Sequence, residues 1–260
     1  MNAAFALRYL NYYFTAGNRH SVHSPFIYFL VDKIINSKKE EPVFAVIEQQ
    51  RNLLKKNHSL IAVEDYGAGI YGVIHQQRKV SSIVKSSAKP ARYGSLLYKI
   101  VNHYRPLNML ELGTSFGISA LYQAAGNPDG KLYTIEGSKS IAEIAGEVVK
   151  STGISNIHIV QGSFDKMLPV VLDKMPQLDY AFIDGNHKKK PTLEYFEQCL
   201  GKSHNHTIFV FDDINWSDDM QEAWELIKSH KKTRVTVDLF MLGIVFLNPE
   251  LSRQDFVIRH

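Results

Sequence analysis

The run Met109-Leu-Glu-Leu-Gly113, continuing as Thr-Ser-Phe-Gly117-Ile-Ser119, constrains the fold of this chain more than any other segment. An apolar stretch ending in an acid and a glycine turn predicts a strand that feeds a helix. Leu132-Tyr-Thr-Ile-Glu136 then reads as a second strand, its terminal acid 25 residues after Glu111. Strand, turn, helix and acid-tipped strand make a βαβ unit suited to a nucleoside cofactor, because glycines let the backbone turn beside the ligand and a carboxylate accepts ribose hydroxyls.

Glycine spacing narrows the cofactor. A dinucleotide site calls for Gly-x-Gly-x-x-Gly, which brings a pyrophosphate onto the helix N-terminus. Here Gly113 and Gly117 enclose Thr114, Ser115 and Phe116. Phe116 is expected to crowd the backbone where a pyrophosphate would lie. S-adenosylmethionine, which carries no phosphate, therefore fits better than NAD.

The segment resembles motif I of the class I S-adenosylmethionine-dependent methyltransferases, and among them the catechol O-methyltransferase-like group. The resemblance implies that Glu111, Gly113 and Ser119 line the methionine end of the cofactor, with Ser115 and Gly117 also among the binding residues. It implies that Glu136 accepts both ribose hydroxyls, a bidentate task for which a carboxylate has two oxygens. Gln161-Gly-Ser-Phe-Asp165 resembles the family's adenine-bordering motif. Gly162, Ser163 and Phe164 are thereby implied at the adenine, with Ser163 where many relatives carry an acid; Phe164 as plain core is the alternative.

Later strands also end in acids: Asp184 follows Tyr180-Ala-Phe-Ile183, and Asp212-Asp213 follow Ile208-Phe-Val-Phe211. A carboxylate at the end of an apolar strand needs a partner, because burying it unpaired is costly. The resemblance implies a divalent cation on Asp184, Asp212 and Asp213, with Asp213 standing where the family pattern has Asn. Three oxygen ligands and waters suit Mg²⁺. Asp184 counts in addition among the cofactor-binding and catalytic residues. His187 stands where the family carries a lysine general base, and an unperturbed imidazole accepts a proton near neutrality. The alternatives are a helix cap for Asp212 or Asp213 ahead of Ser217-Asp-Asp-Met220, and a polar surface role for His187.

Along the chain, Tyr9–Asn36 and Val43–Asn57 read as helical, with a turn at His20–Pro25 where Ser24 caps and Pro25 starts a helix. Leu60-Ile-Ala-Val-Glu-Asp-Tyr-Gly-Ala-Gly69 also looks like a strand and a glycine turn, but no Asp or Glu follows Asp65 until Glu111, so no second strand offers a ribose partner. A structural turn at Gly67–Gly69 is expected, with a lid or substrate loop as the alternative. From Lys89 onward helices and strands alternate: helices at 92–104, 117–125, 139–151, 164–174, 191–200 and 218–230, strands at 108–112, 131–136, 157–161, 178–184, 207–212, 233–239 and 243–247. The expected architecture is α/β, a Rossmann-like methyltransferase fold with a mostly parallel seven-stranded sheet, an antiparallel edge hairpin and a helical N-terminal extension. Residues 1–88 are expected to form that extension or a substrate cap, and 89–260 the cofactor-binding domain.

Composition bounds the partners. Of 260 residues, 45% are hydrophobic and 22% charged, ordinary for a soluble globular protein, so disorder is not expected. The single cysteine, Cys199, excludes an internal disulfide, reads as a buried small hydrophobe and suits a cytoplasmic protein. No signal-peptide cleavage site follows the apolar N-terminus, and no apolar stretch is long enough for a bilayer. A net charge of +4 is mild for a nucleic-acid binder. Lys188–Lys190 could steer an acidic substrate, whereas the run from Lys228 to Arg234 complements a helix C-terminus. The function expected is O-methylation of a small molecule from S-adenosylmethionine, with possible Mg²⁺ assistance, no membrane association and a homodimer left open. Rivals are methylation of RNA or protein, a nucleotide-binding oxidoreductase, and a non-catalytic interaction protein retaining the fold.

Overall fold

The computed structural model describes residues 3–18, 23–38, 40–65 and 74–260. Tyr66, the Gly67–Gly69 turn and residues 20–22 of the expected N-terminal turn lie outside the described residues. The chain packs as two compact units, one of residues 38–175 and one of residues 1–37 with 176–260.

The unit of residues 38–175 opens with α3 (Pro42–Lys56), preceded in the chain by α1 (Ala3–Thr15) and α2 (Pro25–Phe29) of the other unit. It continues through the antiparallel pair β1 (Leu60–Asp65) and β2 (Ile74–Lys79) and through α4 (Val80–Ser87) and α5 (Ala91–Tyr104). Then β3 (Asn108–Leu112), α6 (Ile118–Gly126), β4 (Lys131–Glu136), α7 (Lys139–Thr152), β5 (Ile157–Gln161) and α8 (Phe164–Asp173) alternate. β3, β4 and β5 pair in parallel in that order. Parallel strands need covered faces, and β3 supplies them with a nearly unbroken buried run. Ile47, Leu54, Val80, Tyr98, Leu121 and Tyr122 belong to one core cluster, which joins α3, α4 and α5 to α6. Helices α5 and α6 approach so closely that a Cβ at Gly94 would stand 2.5 Å from the Tyr122 ring.

The other unit holds α1 (Ala3–Thr15) and α2 (Pro25–Phe29), the latter running on as a π-helical stretch Leu30–Ile35. Ser24 caps α2 by accepting a bond from the Ile27 N–H, and Pro25 stands at the first turn, as expected. The unit continues with β6 (Leu178–Ile183), α9 (Lys189–Leu200), β7 (Ser203–Asp212), α10 (Asp218–Ser229), β8 (Val235–Asp238), β9 (Leu242–Phe246) and β10 (Gln254–Val257). Its strands run in the order β10-β8-β9-β7-β6; β6 and β7 are parallel, and β9 is antiparallel to both β7 and β8.

The strands of the two sheets' worth of βα alternation number eight, three in one unit and five in the other, against the seven expected. The additional strand is β10, which pairs in parallel with β8 and so displaces the expected hairpin from the edge. α1 is fastened to this strand's end: the Tyr12 hydroxyl donates to the Ile258 carbonyl at 2.6 Å and the Gly17 N–H to the Val257 carbonyl at 2.9 Å. Among the described residues no helix is long and apolar enough to cross a membrane. Cys199 is fully buried in α9, and burial pushes its thiol up to about 12, which fits the expected inert hydrophobe.

Candidate functional site

In the unit of residues 38–175 the candidate cofactor residues gather where β3 and β4 end. Gly113, Ser115 and Gly117 all have positive φ, at 101°, 46° and 81°. The two glycines adopt this backbone without strain, whereas Ser115 is a non-glycine residue in the left-handed region. Its N–H explains the conformation, because it donates to Glu136 Oε2 at 2.8 Å. The Ser138 N–H donates to Glu136 Oε1 at 3.0 Å, so both oxygens are oriented by backbone while retaining acceptor capacity. Burial pushes Glu136 up to about 6, against the pull of these N–H groups.

Glu111 lies deeper. It is fully buried, accepts Gln123 Nε2 at 2.6 Å and the Thr134 hydroxyl at 2.5 Å, and is also hydrogen-bonded by Ser119. Desolvation outweighs these donors and raises it to about 7. Phe116 is buried in the core cluster, so the crowding expected from its ring at the turn does not arise; the ring points into the core instead. Gly162 has φ 142°, and its N–H donates to the Glu136 carbonyl at 2.9 Å. Ser163 is the N-cap residue of α8 but makes no side-chain cap bond, and Phe164, the first residue of the helix, is half-buried.

In the other unit the strand-end acids come together with the histidine. Ligand atoms of Asp184, His187 and Asp212 lie within 4.8 Å of one another. His187 Nε2 is 3.6 Å from Asp184 Oδ1, and Nδ1 is 3.8 Å from Asp213 Oδ2. Asn186, His187 and Asp213 have positive φ, at 67°, 39° and 55°, which concentrates backbone strain at this cluster. Asp212 is buried and His187 half-buried. The helix-cap alternative for the two aspartates does not hold, because Ser217 caps α10 by accepting the Met220 N–H at 3.2 Å. The donor set, two carboxylates and an imidazole with Asp213 alongside, has the chemistry to hold a divalent cation.

The lysines at 188–190 are partly engaged: Lys189 Nζ pairs with Glu222 at 2.8 Å and Lys190 with Glu194 at 3.8 Å. Residues absent from the sequence reading also enter the cofactor end. Thr134 and Gln123 hold Glu111, and Ser87 of α4 meets the Ser115 hydroxyl at 2.9 Å. Thr134 sits two positions before Glu136 on β4, and that alternation was its only signal in the sequence.

Residues 110–214 match the family described as a methyltransferase domain. Over that span the chain is similar to methyltransferase domains, and the curated relatives it matches are named as O-methyltransferases. It is 33% identical over 110 residues to a catechol O-methyltransferase of Niastella koreensis, covering 41% of this chain and 49% of that protein. It is 29% identical over 111 residues to the O-methyltransferase imqG of Aspergillus flavus, covering 40% and 44%. The matched region thus spans about half the length of these curated relatives. Among solved structures, the O-methyltransferase from Bacillus cereus in complex with SAH superposes with a TM-score of 0.58 at 17% identity, over 81% of this chain and 93% of that one. TomG from Streptomyces achromogenes, in complex with SAM, gives 0.56 at 20% identity over 85% and 95%. These likenesses show the fold, a Rossmann-like methyltransferase domain with a helical N-terminus.

Proposed function

We propose that the protein transfers the methyl group of S-adenosylmethionine to an oxygen of a small phenolic molecule. The observation that carries this reading is Glu136, held at the end of β4 by the N–H groups of Ser115 and Ser138 with acceptor capacity to spare. A diol with two adjacent donors matches such a carboxylate, and the ribose of an adenosyl group is one. Gly113, Gly117, Ser119 and Gly162 supply the close backbone and small side chains around it, Ser163 and Phe164 the adenine border, and Glu111 anchors the turn from below through Thr134 and Gln123. The sulfonium of the cofactor supplies an electrophilic methyl group, so the protein's own task is alignment and control of the acceptor's proton.

His187 serves as the proton acceptor at Nε2, with Nδ1 turned to Asp213. A second reading has a specific observation in its favour: the three-atom grouping of Asp184, His187 and Asp212 suits His187 as the nitrogen ligand of a cation. A cation held by these residues would supply Lewis-acid stabilisation of a developing oxyanion. With an imidazole in the set, Mn²⁺ or Fe²⁺ competes with Mg²⁺ more than it would on oxygens alone. The phenolic acceptor is inferred from the relative named as a catechol O-methyltransferase. Residues 1–88 are assigned to the acceptor side as an extension or cap, and the cytoplasm as the compartment.

The test is incubation with S-adenosylmethionine labelled in its methyl group and a panel of catechols and other phenols, with and without Mn²⁺ or Mg²⁺. Label in an oxygen-methylated product supports the proposal. Binding of the cofactor with label transferred only to RNA or protein, or to nothing, contradicts it.

A further inference from the structure

Glu64 lies one residue before the end of β1, the strand that pairs with β2. Its Oε2 accepts the Ser138 hydroxyl at 2.8 Å and the Lys139 N–H at 3.1 Å. In return its own N–H reaches Ser138 Oγ at 3.4 Å. Ser138 is the N-cap residue of α7, yet its side chain makes no cap bond within the helix. The cap comes instead from Glu64, 74 residues earlier in the chain. An anion there also complements the positive end of the helix dipole. The Ser138 N–H is the same group that donates to Glu136 Oε1. A continuous set of bonds therefore runs from the Glu64 carboxylate through Ser138 to the Glu136 carboxylate.

We propose that Glu64 is a positioning residue for ribose recognition, acting through Ser138 to hold Glu136 in the orientation that meets the ribose diol. The inference rests on the cofactor reading above and extends it to the N-terminal hairpin. Two features make the role specific. Ser138 is buried, so its hydroxyl has no water to turn to and its rotamer is set by Glu64. The Ser138 hydroxyl, with the Lys139 N–H beside it, donates to the Glu64 carboxylate and holds it below the usual carboxylate range, while His75 stands directly opposite in the register of the strand pair. Removing Glu64 frees the Ser138 hydroxyl to fold back on its own helix, and the backbone that carries the Ser138 N–H moves with it.

The test is calorimetric binding of S-adenosylhomocysteine and of its 2′-deoxyribose analogue by the full-length wild type, Glu64→Ala, Glu64→Gln and Ser138→Ala. The expected result is a loss of about tenfold in affinity for S-adenosylhomocysteine in Glu64→Ala, the worth of one well-placed hydrogen bond. Affinity for the 2′-deoxy analogue should change far less, so that the preference for the intact ribose collapses. Glu64→Gln should fall between, and Ser138→Ala should repeat the ribose-specific loss by removing the relay while leaving the Glu64 carboxylate in place. Equal losses for the two ligands, which a merely structural role would produce, overturn the inference, as does unchanged binding of both. Failure of the wild type to bind S-adenosylhomocysteine overturns the cofactor reading, and this inference with it.

Discussion

Thr134 donates its hydroxyl to Glu111 across neighbouring parallel strands, Oγ1 to Oε2 at 2.5 Å, and neither residue has any exposure to solvent. The same hydroxyl lies 2.6 Å from Thr114 Oγ1, on the glycine turn itself. A buried acid is thus built into the floor beneath the candidate cofactor loop, and its protonation is coupled to the stability of the fold.

Burial raises Glu111 from 4.5 to about 7 and Glu136 from 4.5 to about 6. The native state then binds these protons more tightly than the unfolded chain does, so their contribution to stability is greatest below pH 4.5. It is lost as pH rises, through about 6 for Glu136 and about 7 for Glu111. For Glu111 the loss is on the order of 3 kcal/mol. The thermal midpoint of the wild type is expected to fall between pH 5 and 8, and Glu111→Gln should flatten that slope. An unchanged slope in the variant would show that Glu111 titrates normally.

Glu136 must be ionised to offer both oxygens to a diol. Affinity for S-adenosylhomocysteine should accordingly be flat above about pH 7 and decline by roughly tenfold per unit below pH 6. Titrations followed by fluorescence between pH 5 and 8 measure this, and a Glu136→Gln variant should be weak at every pH.

Removing the imidazole separates the two readings of His187. If it completes the set with Asp184 and Asp212, His187→Ala should weaken Mn²⁺ binding by about tenfold or more, read by the electron paramagnetic resonance of free Mn²⁺. Unaltered Mn²⁺ affinity with a lost acid limb in the pH–rate profile would instead assign His187 as the base alone.

Arg51 of α3 is nearly buried; its Nε bonds Glu48 Oε1 at 2.9 Å and its guanidinium also donates to the Lys89 carbonyl at 2.5 Å. The Tyr122 hydroxyl of α6 donates to the same Glu48 oxygen at 2.9 Å. Arg51→Ala should cost about 2 kcal/mol in urea unfolding, below the 3–5 kcal/mol for breaking a fully buried pair, because Glu48 keeps contact with water. A loss below about 0.5 kcal/mol would mean that α3 is not integral to its unit.

The βα alternation from residue 91 onward was legible because each strand is an apolar run closed by an acid or a turn, and each helix keeps its apolar spacing. The strands that escaped notice are the polar ones. β2, Ile-His-Gln-Gln-Arg-Lys, and β10, Gln-Asp-Phe-Val, bury little, so edge pairing and not periodicity defines them. The acids that close strands and make up the candidate site, Glu136, Asp184 and Asp212, stand out in the sequence for the same reason. Partners that act across the fold could not: nothing local to Glu64 indicates that it caps a helix beginning at Lys139, and nothing local to Phe116 shows whether its ring faces a ligand or the core.

The most direct measurement is a calorimetric titration of S-adenosylhomocysteine into the wild-type protein and Glu136→Ala at pH 7.5. Saturable binding by the wild type, with the variant weakened at least about a hundredfold by loss of two charge-assisted hydrogen bonds, is the expected result. Wild-type binding no tighter than that of the variant would contradict the assignment of Glu136 to the ribose, and with it the cofactor on which the proposed chemistry depends.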